Sequence, residues 1–175
     1  VIAEHGAELL RLWVAATDYT GDIRISRTIL ARLSEGYRKF RNTLRFMLSN
    51  LDDFSPPGTP PKAEPTSLDA WALGEFDRLN AEVARAYDEY DYRVVHSKLY
   101  DFCSQTLSAT YLAAVKDRLY CDKPDSPRRR RSQATLWHMT DGLCRLLAPL
   151  VPHTADEGWR SLHKATGPQD ERCVH

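Results

Sequence analysis

The chain has 175 residues, 24 of them Lys or Arg and 24 Asp or Glu, so its formal net charge is zero. That length supports one domain with a real core, while the balanced charge excludes the bulk basicity of a typical free-standing nucleic-acid binder; a binding surface has to come from how charge is distributed. No apolar run reaches about 18 residues, which excludes a membrane-spanning helix, and Val1-Ile2-Ala3-Glu4-His5 lacks the basic and apolar regions of a secretory signal.

The first predicted element is a helix from Gly6 to Tyr19, with Leu9, Leu10, Trp13 and Ala16 as its apolar stripe. Thr17-Asp18-Tyr19-Thr20-Gly21-Asp22 breaks it, Ile23-Arg24-Ile25 is a short link, and Ser26 is a suitable N-cap for the next helix. That second helix runs from about Arg27 to Leu51. Ile29, Leu33, Tyr37, Phe40, Leu44, Met47 and Leu51 recur at steps of three and four and form the long seam of a bundle. Residues 54–66 hold five of the ten prolines and read as a stiff surface loop. Ser67 caps a third helix carrying Leu68, Trp71, Leu73, Phe76, Leu79, Val83 and Tyr87. A fourth starts near Asp91, and a fifth is expected after a break at Ser104-Gln105-Thr106. Ser126 and Pro127 form the N-cap and N1 pair of a sixth helix reaching about Leu147. Pro149 and Pro152 stop it, and Thr154 caps a last helix through about His163. Residues 165–175 read as a disordered tail. No segment alternates at period two. The class is all-α, a bundle of about six to seven helices.

The stretch from Tyr37 to Phe46 does two jobs. At about 100° per residue, Tyr37, Phe40, Leu44 and Met47 share the core side, while Arg38, Arg41, Asn42 and Arg45 share nearly the opposite one. Phe46 lies on neither stripe, beside the basic row and with no packing duty evident. Guanidinium groups, an amide and a spare ring on one face suit a polyanion with exposed bases. From spacing alone, such a row on a helix is more often just a solvated face.

Other candidate chemistry is sparse. No G-x-S-x-G, P-loop, G-x-G-x-x-G or H-E-x-x-H occurs. Asp156 and Glu157 after His153 suit a helix dipole without catalysis, and His138 reads as structural. Cys103, Cys121, Cys144 and Cys173 have no zinc-ligand spacing and are expected as buried free thiols in a reducing cytoplasm. Arg128, Arg129, Arg130 and Arg131 stand at a helix N-terminus, where the macrodipole disfavours cations by up to roughly 1 kcal/mol. Phosphate contact would offset that; splaying into solvent, or pairing with Asp122, Asp125 or Asp141, would do so as well. Lys116 and Arg118 could extend the same patch.

Tyr37-Arg38-Lys39-Phe40-Arg41-Asn42-Thr43-Leu44-Arg45-Phe46, followed by Leu48 and Asn50-Leu51-Asp52-Asp53-Phe54, resembles the start of the anticodon-binding bundle of isoleucyl-tRNA synthetases, class I aminoacyl-tRNA synthetases. Phe102-Cys103-Ser104, Tyr111-Leu112, Lys116-Asp117-Arg118-Leu119-Tyr120, Asp125-Ser126-Pro127, Leu146-Leu147-Ala148-Pro149-Leu150 and His153-Thr154-Ala155-Asp156-Glu157-Gly158-Trp159 agree with that family in order. The signature HIGH and KMSKS motifs are absent, as are the nucleotide-binding fold, the editing domain and the zinc-binding region. Ala70 replaces a basic residue often found before the third helix's tryptophan, and the proline loop is longer than the family pattern.

The resemblance implies a fragment that is not itself catalytic. Residues 1–25 would join the bundle to a catalytic domain, with Arg11 and Trp13 at that junction, and residues 26–164 would form the bundle. The partner implied is the anticodon stem-loop of tRNA(Ile). Arg38, Arg41 and Arg45 would contact phosphates, Asn42 a base edge, and Phe46 an unstacked base; Lys116, Arg118 and Arg128–Arg131 are further RNA-binding candidates. No cofactor is expected in the fragment, whereas the full-length parent would use ATP with Mg and hold zinc. A cytoplasmic monomer follows from the same resemblance. From a different class, the alternative is a helical protein–protein interaction module whose basic face meets an acidic partner.

Overall fold

A computed structural model gives the fold and describes residues 6–56, 64–164 and 173–174. Those residues form α1 (Ala7–Ala16), α2 (Arg27–Ser49), α3 (Leu68–Asp88), α4 (Tyr92–Asp101), a π-helical segment (Phe102–Leu112), α5 (Ala113–Cys121), α6 (Pro127–Leu147) and α7 (Pro152–Leu162), with no strand among them. The all-α expectation holds.

The helices begin where short polar side chains can satisfy orphan N–H groups. Ser26 Oγ accepts from the Ile29 N–H (3.2 Å), Ser67 Oγ from Ala70 (3.1 Å), and Asp91 Oδ1 from Val94 (3.1 Å). Two caps differ from expectation. Ser126 precedes Pro127 as foreseen, yet its hydroxyl donates to Asp122 Oδ2 (3.4 Å) and caps nothing. Thr154 lies inside α7, which starts at Pro152. Its N–H and hydroxyl donate to the Glu8 carboxylate at 2.9 and 2.5 Å, and the Tyr37 hydroxyl adds a bond at 3.1 Å. Glu8 is buried, so a carboxylate from α1 sits at the positive end of the α7 dipole.

The seam of α2 is buried at Phe40, Leu44 and Met47, and continues to buried Leu51 just past the helix end. At its N-terminal end the expected positions Ile29 and Leu33 border an open hollow, and the neighbouring Leu30 is buried instead. In α1 the buried stripe is Leu9, Leu12 and Ala15, whereas Leu10 and Trp13 are only half-buried and Leu10 and Val14 edge a surface groove. Arg11 does not point away from the bundle: Nε and NH2 donate to the carbonyls of Leu150 (3.1 Å) and Pro149 (2.6 Å). Helix α6 is central, packing against α3, α2, α5 and α7. Its approach to α3 requires glycine, since a Cβ on Gly142 would lie 2.4 Å from Phe76 Cζ.

The break predicted at Ser104-Gln105-Thr106 does not occur. Helix α4 continues through the π segment into α5. Inside the segment, the hydroxyls of Ser108 and Thr110 donate to carbonyls five residues earlier, Cys103 (2.7 Å) and Gln105 (3.0 Å). These polar side chains, just after the expected break, bond along the backbone pattern of the continuous helix.

Most of the proline loop and of the C-terminal tail lies outside the described residues. Of the tail, Val174 is buried and its N–H donates to Asp156 Oδ1 (3.3 Å). Cys103, Cys121 and Cys144 are free thiols. Cys103 and Cys144 are buried as expected, and burial pushes their thiols up to about 12, whereas Cys121 and Cys173 are exposed. No described helix is long and apolar enough to cross a membrane.

Candidate nucleic-acid interface

Helix α2 presents Arg38, Arg41, Asn42 and Arg45 to solvent, as its periodicity requires. Arg41 lies 3.8 Å from Glu157 of α7, and both side chains are exposed, so the pair is weak. Arg38 and Arg45 have no ion-pair partner among the described residues.

Phe46 is not a spare ring. It is half-buried against the core and meets Tyr120 of α5 edge-on, with ring centroids 6.3 Å apart and planes at 87°. The two rings close one end of a cleft of about 380 Å³ between α2 and α5, bordered also by Lys39, Asn42 and Lys116. Tyr120 is 64% exposed. Asn42 and Phe46 of one sequence stretch and Lys116 of another are thus brought into one groove, with the ridge of Arg38, Arg41 and Arg45 alongside. Lys39 and Tyr120 complete it and were missed. Lys39, Asn42 and Phe46 stand at i, i+3 and i+7, and Lys116 and Tyr120 at i and i+4, the spacings that share a helix face. That signal was present in the sequence.

Arg118 does not extend the patch outward. It turns inward, 3.5 Å from Asp69 Oδ2. Asp69 is buried and also accepts from the Tyr111 hydroxyl (2.7 Å) and Ser132 (3.2 Å), tying α3, the π segment, α5 and α6 together. Burial and the Asp69 charge push the Tyr111 hydroxyl far above the ordinary tyrosine range.

The arginine tract of α6 is split. Arg128 makes a two-pronged pair with Asp122, at 2.9 and 2.7 Å. Arg129, only 14% exposed, grips both carboxylate oxygens of Asp53 (2.6 and 3.1 Å) and the Leu119 carbonyl (3.1 Å). Arg130 donates to the Asp53 carbonyl (2.7 Å) and Gln133 Oε1 (3.0 Å). Gln133 in turn donates to the Asn50 carbonyl and Asp53 Oδ1. The Arg129 bonds, aided by Gln133 and opposed by partial burial, hold the Asp53 carboxyl at about 2. The macrodipole cost of cations at this helix start is offset by carboxylates in the fold. Only Arg131 is exposed with no partner among the described residues.

No described group of three or more His, Cys, Asp or Glu is arranged to hold a metal ion. His153 is exposed, and His138 packs edge-on against Phe76 at 6.1 Å.

An all-helical bundle with lysines, an amide and two rings around one cleft, flanked by exposed arginines, has the chemistry of a module that binds looped, single-stranded nucleic acid. Residues 69–174 match the anticodon-binding domain of tRNA ligase, and the chain belongs to that family. It is 44% identical over 164 residues to an isoleucine–tRNA ligase of Desulfotalea psychrophila, covering 93% of this chain and 18% of that protein. It is 47% identical to isoleucine–tRNA ligase 1 of Burkholderia mallei, over 89% of this chain and 16% of the relative. With an isoleucine–tRNA ligase of Geobacter sulfurreducens it shares 43% identity over 97% of its own length and 19% of the relative's. The chain therefore spans less than a fifth of the length of these relatives.

Proposed function

We propose that this chain is the anticodon stem-loop binding module of an isoleucine–tRNA ligase, and that the full-length enzyme attaches isoleucine to tRNA(Ile) with ATP through an isoleucyl-adenylate. The observation that carries this reading is the cleft between α2 and α5, where Asn42, Phe46, Lys116 and Tyr120 converge beside the basic ridge, in a chain of the anticodon-binding family. Lys39 and Lys116 face the phosphates of the loop, Asn42 reads a base edge, and an unstacked base lies against Tyr120 and Phe46. Arg38, Arg41, Arg45 and Arg131 add phosphate contacts. Arg118, Arg128, Arg129 and Arg130 keep their donors on protein carboxylates and carbonyls and position the frame.

Chemistry takes place elsewhere in the full-length enzyme, where ATP with Mg and a zinc belong, and the bundle's own work is binding. The free thiols are in keeping with a cytoplasmic enzyme. The module acts as a monomer joined to its catalytic domain.

The experiment is a titration with an isolated tRNA(Ile) anticodon stem-loop at two salt concentrations. Binding is expected to weaken steeply with salt, and to fall further for Lys116→Glu, with helicity unchanged. Salt-insensitive binding, or none at low salt, overturns the RNA reading and favours a protein partner for the basic face.

A further inference from the structure

A second hollow, of about 350 Å³, opens where α1 ends and α2 begins, bordered by Arg32, Leu33, Arg93, His96, Ser97 and Tyr100. Arg32 and Arg93 are exposed, and neither has an ion-pair partner among the described residues. Asp18 feels the Arg93 charge, but its carboxylate is taken by the Thr20 N–H (3.1 Å) and hydroxyl (2.6 Å). Nε2 of His96 is buried and has no hydrogen-bond partner. Burial holds this imidazole below the ordinary histidine range, despite Asp101 nearby; it is neutral at pH 7, and the hollow's positive charge comes from the two arginines.

The two hollows are in line. Gly36 and Phe40 of α2 meet Tyr100, and Phe46 meets Tyr120. Moving along α2 toward its C-terminus therefore moves along α4, the π segment and α5 in the same direction. Arg32, Lys39 and Phe46 fall on one flank of α2, each seven residues after the last. The centres of the hollows are about eleven residues apart on α2, or roughly 17 Å at about 1.5 Å per residue. That is the length of about five nucleotides stacked at roughly 3.4 Å each.

Resting on the anticodon-loop reading of the first hollow, we propose that Arg32 and Arg93 form a second phosphate site, which takes the backbone of the stem about five nucleotides from the base held at Tyr120. The occupant is the same RNA. Its ribose–phosphate strand follows the trough between α2 and its parallel neighbour, and Ser97 and Tyr100 offer hydroxyls beside the two guanidinium groups. The site reads no sequence; it measures the distance from loop to stem and fixes how the hairpin lies on the bundle.

Two hairpins with the same anticodon loop test this, a short one closed by a single, covalently cross-linked base pair, which ends before the hollow, and one with a stem of about eight base pairs, which passes it. The double variant Arg32→Gln, Arg93→Gln is expected to bind the long hairpin about tenfold more weakly at low salt. Its slope of log affinity against log salt should shrink by about 1.4–1.8, the release expected for two phosphates. Binding of the short hairpin should change less than about twofold, and circular dichroism should match the parent chain. Equal losses on both hairpins, or no loss on the long one, overturn the second site. Tyr120→Ala serves as the reference for the first hollow and should weaken both hairpins alike. If the parent chain binds neither hairpin, the anticodon reading falls and this inference with it.

Discussion

Tyr120 and Phe46 share a cleft but not a role. Tyr120 is 64% exposed, so truncating it removes a stacking surface and little core. Tyr120→Ala should weaken anticodon stem-loop binding by about 1–3 kcal/mol, the usual worth of one base–aromatic contact, with an unchanged melting temperature. Phe46 also packs on the core, so Phe46→Ala should lose both affinity and stability. Fluorescence titration paired with thermal melts separates the two. At this scale the sequence was legible where a side chain's surroundings follow from its own helix. The exposure of Arg38, Arg41, Asn42 and Arg45 needed only the 3.6-residue period. It was not legible where a partner comes from far along the chain: Arg129 meets Asp53 across 76 positions, and Arg118 meets Asp69 across 49. No local spacing announces such pairs, and the density of charge in the arginine tract suggested a ligand where the fold supplies most of the anions.

Helices were the readable elements, because caps and apolar periodicity are local. Ser26, Ser67 and Asp91 cap as their residue types dictate. The π segment was misread for a physical reason. Ser104 and Thr106 have weak α-helical preferences, and a break is the simplest inference. The countersignal is the even spacing of buried Cys103, Leu107, Tyr111, Val115 and Leu119, a strict step of four that drifts off one face of a regular α-helix. Thr154 was misread because its acceptor, Glu8, lies on another element. That tie between α1 and α7 is testable. Glu8→Ala leaves the Thr154 N–H, the Thr154 hydroxyl and the Tyr37 hydroxyl without their carboxylate. The expected cost is about 2–4 kcal/mol, a fall in melting midpoint of roughly 5–15 °C for a chain of this size. Denaturant melts should show it without loss of the overall helical spectrum.

For the whole molecule, acid sensitivity should trace to the carboxylates that hold the helix ends together. Asp53 has a folded value of about 2 against an ordinary 3.8. A depressed carboxyl lends stability above its unfolded value and loses it as pH falls through the folded one. The contribution of Asp53 is therefore complete above about pH 4 and fades toward pH 2. Asp141 follows the same sign: partial burial works against its ionised form, but Arg145 and His163 outweigh that and lower it. Melting the parent chain and Asp53→Asn across this range should show a gap at neutral pH that closes toward pH 2; a constant gap would place the effect elsewhere.

The π segment also has a rotational consequence. An α-helix advances about 100° per residue, whereas a π-helix, at roughly 4.4 residues per turn, advances about 82°. Over the 11 residues of Phe102–Leu112 the lag reaches about 200°. In an unbroken α-helix, Tyr120 would sit about 180° around the axis from Arg93. The lag swings α5 round so that both border hollows along α2. The groove is thus a matter of phase as much as of side chains.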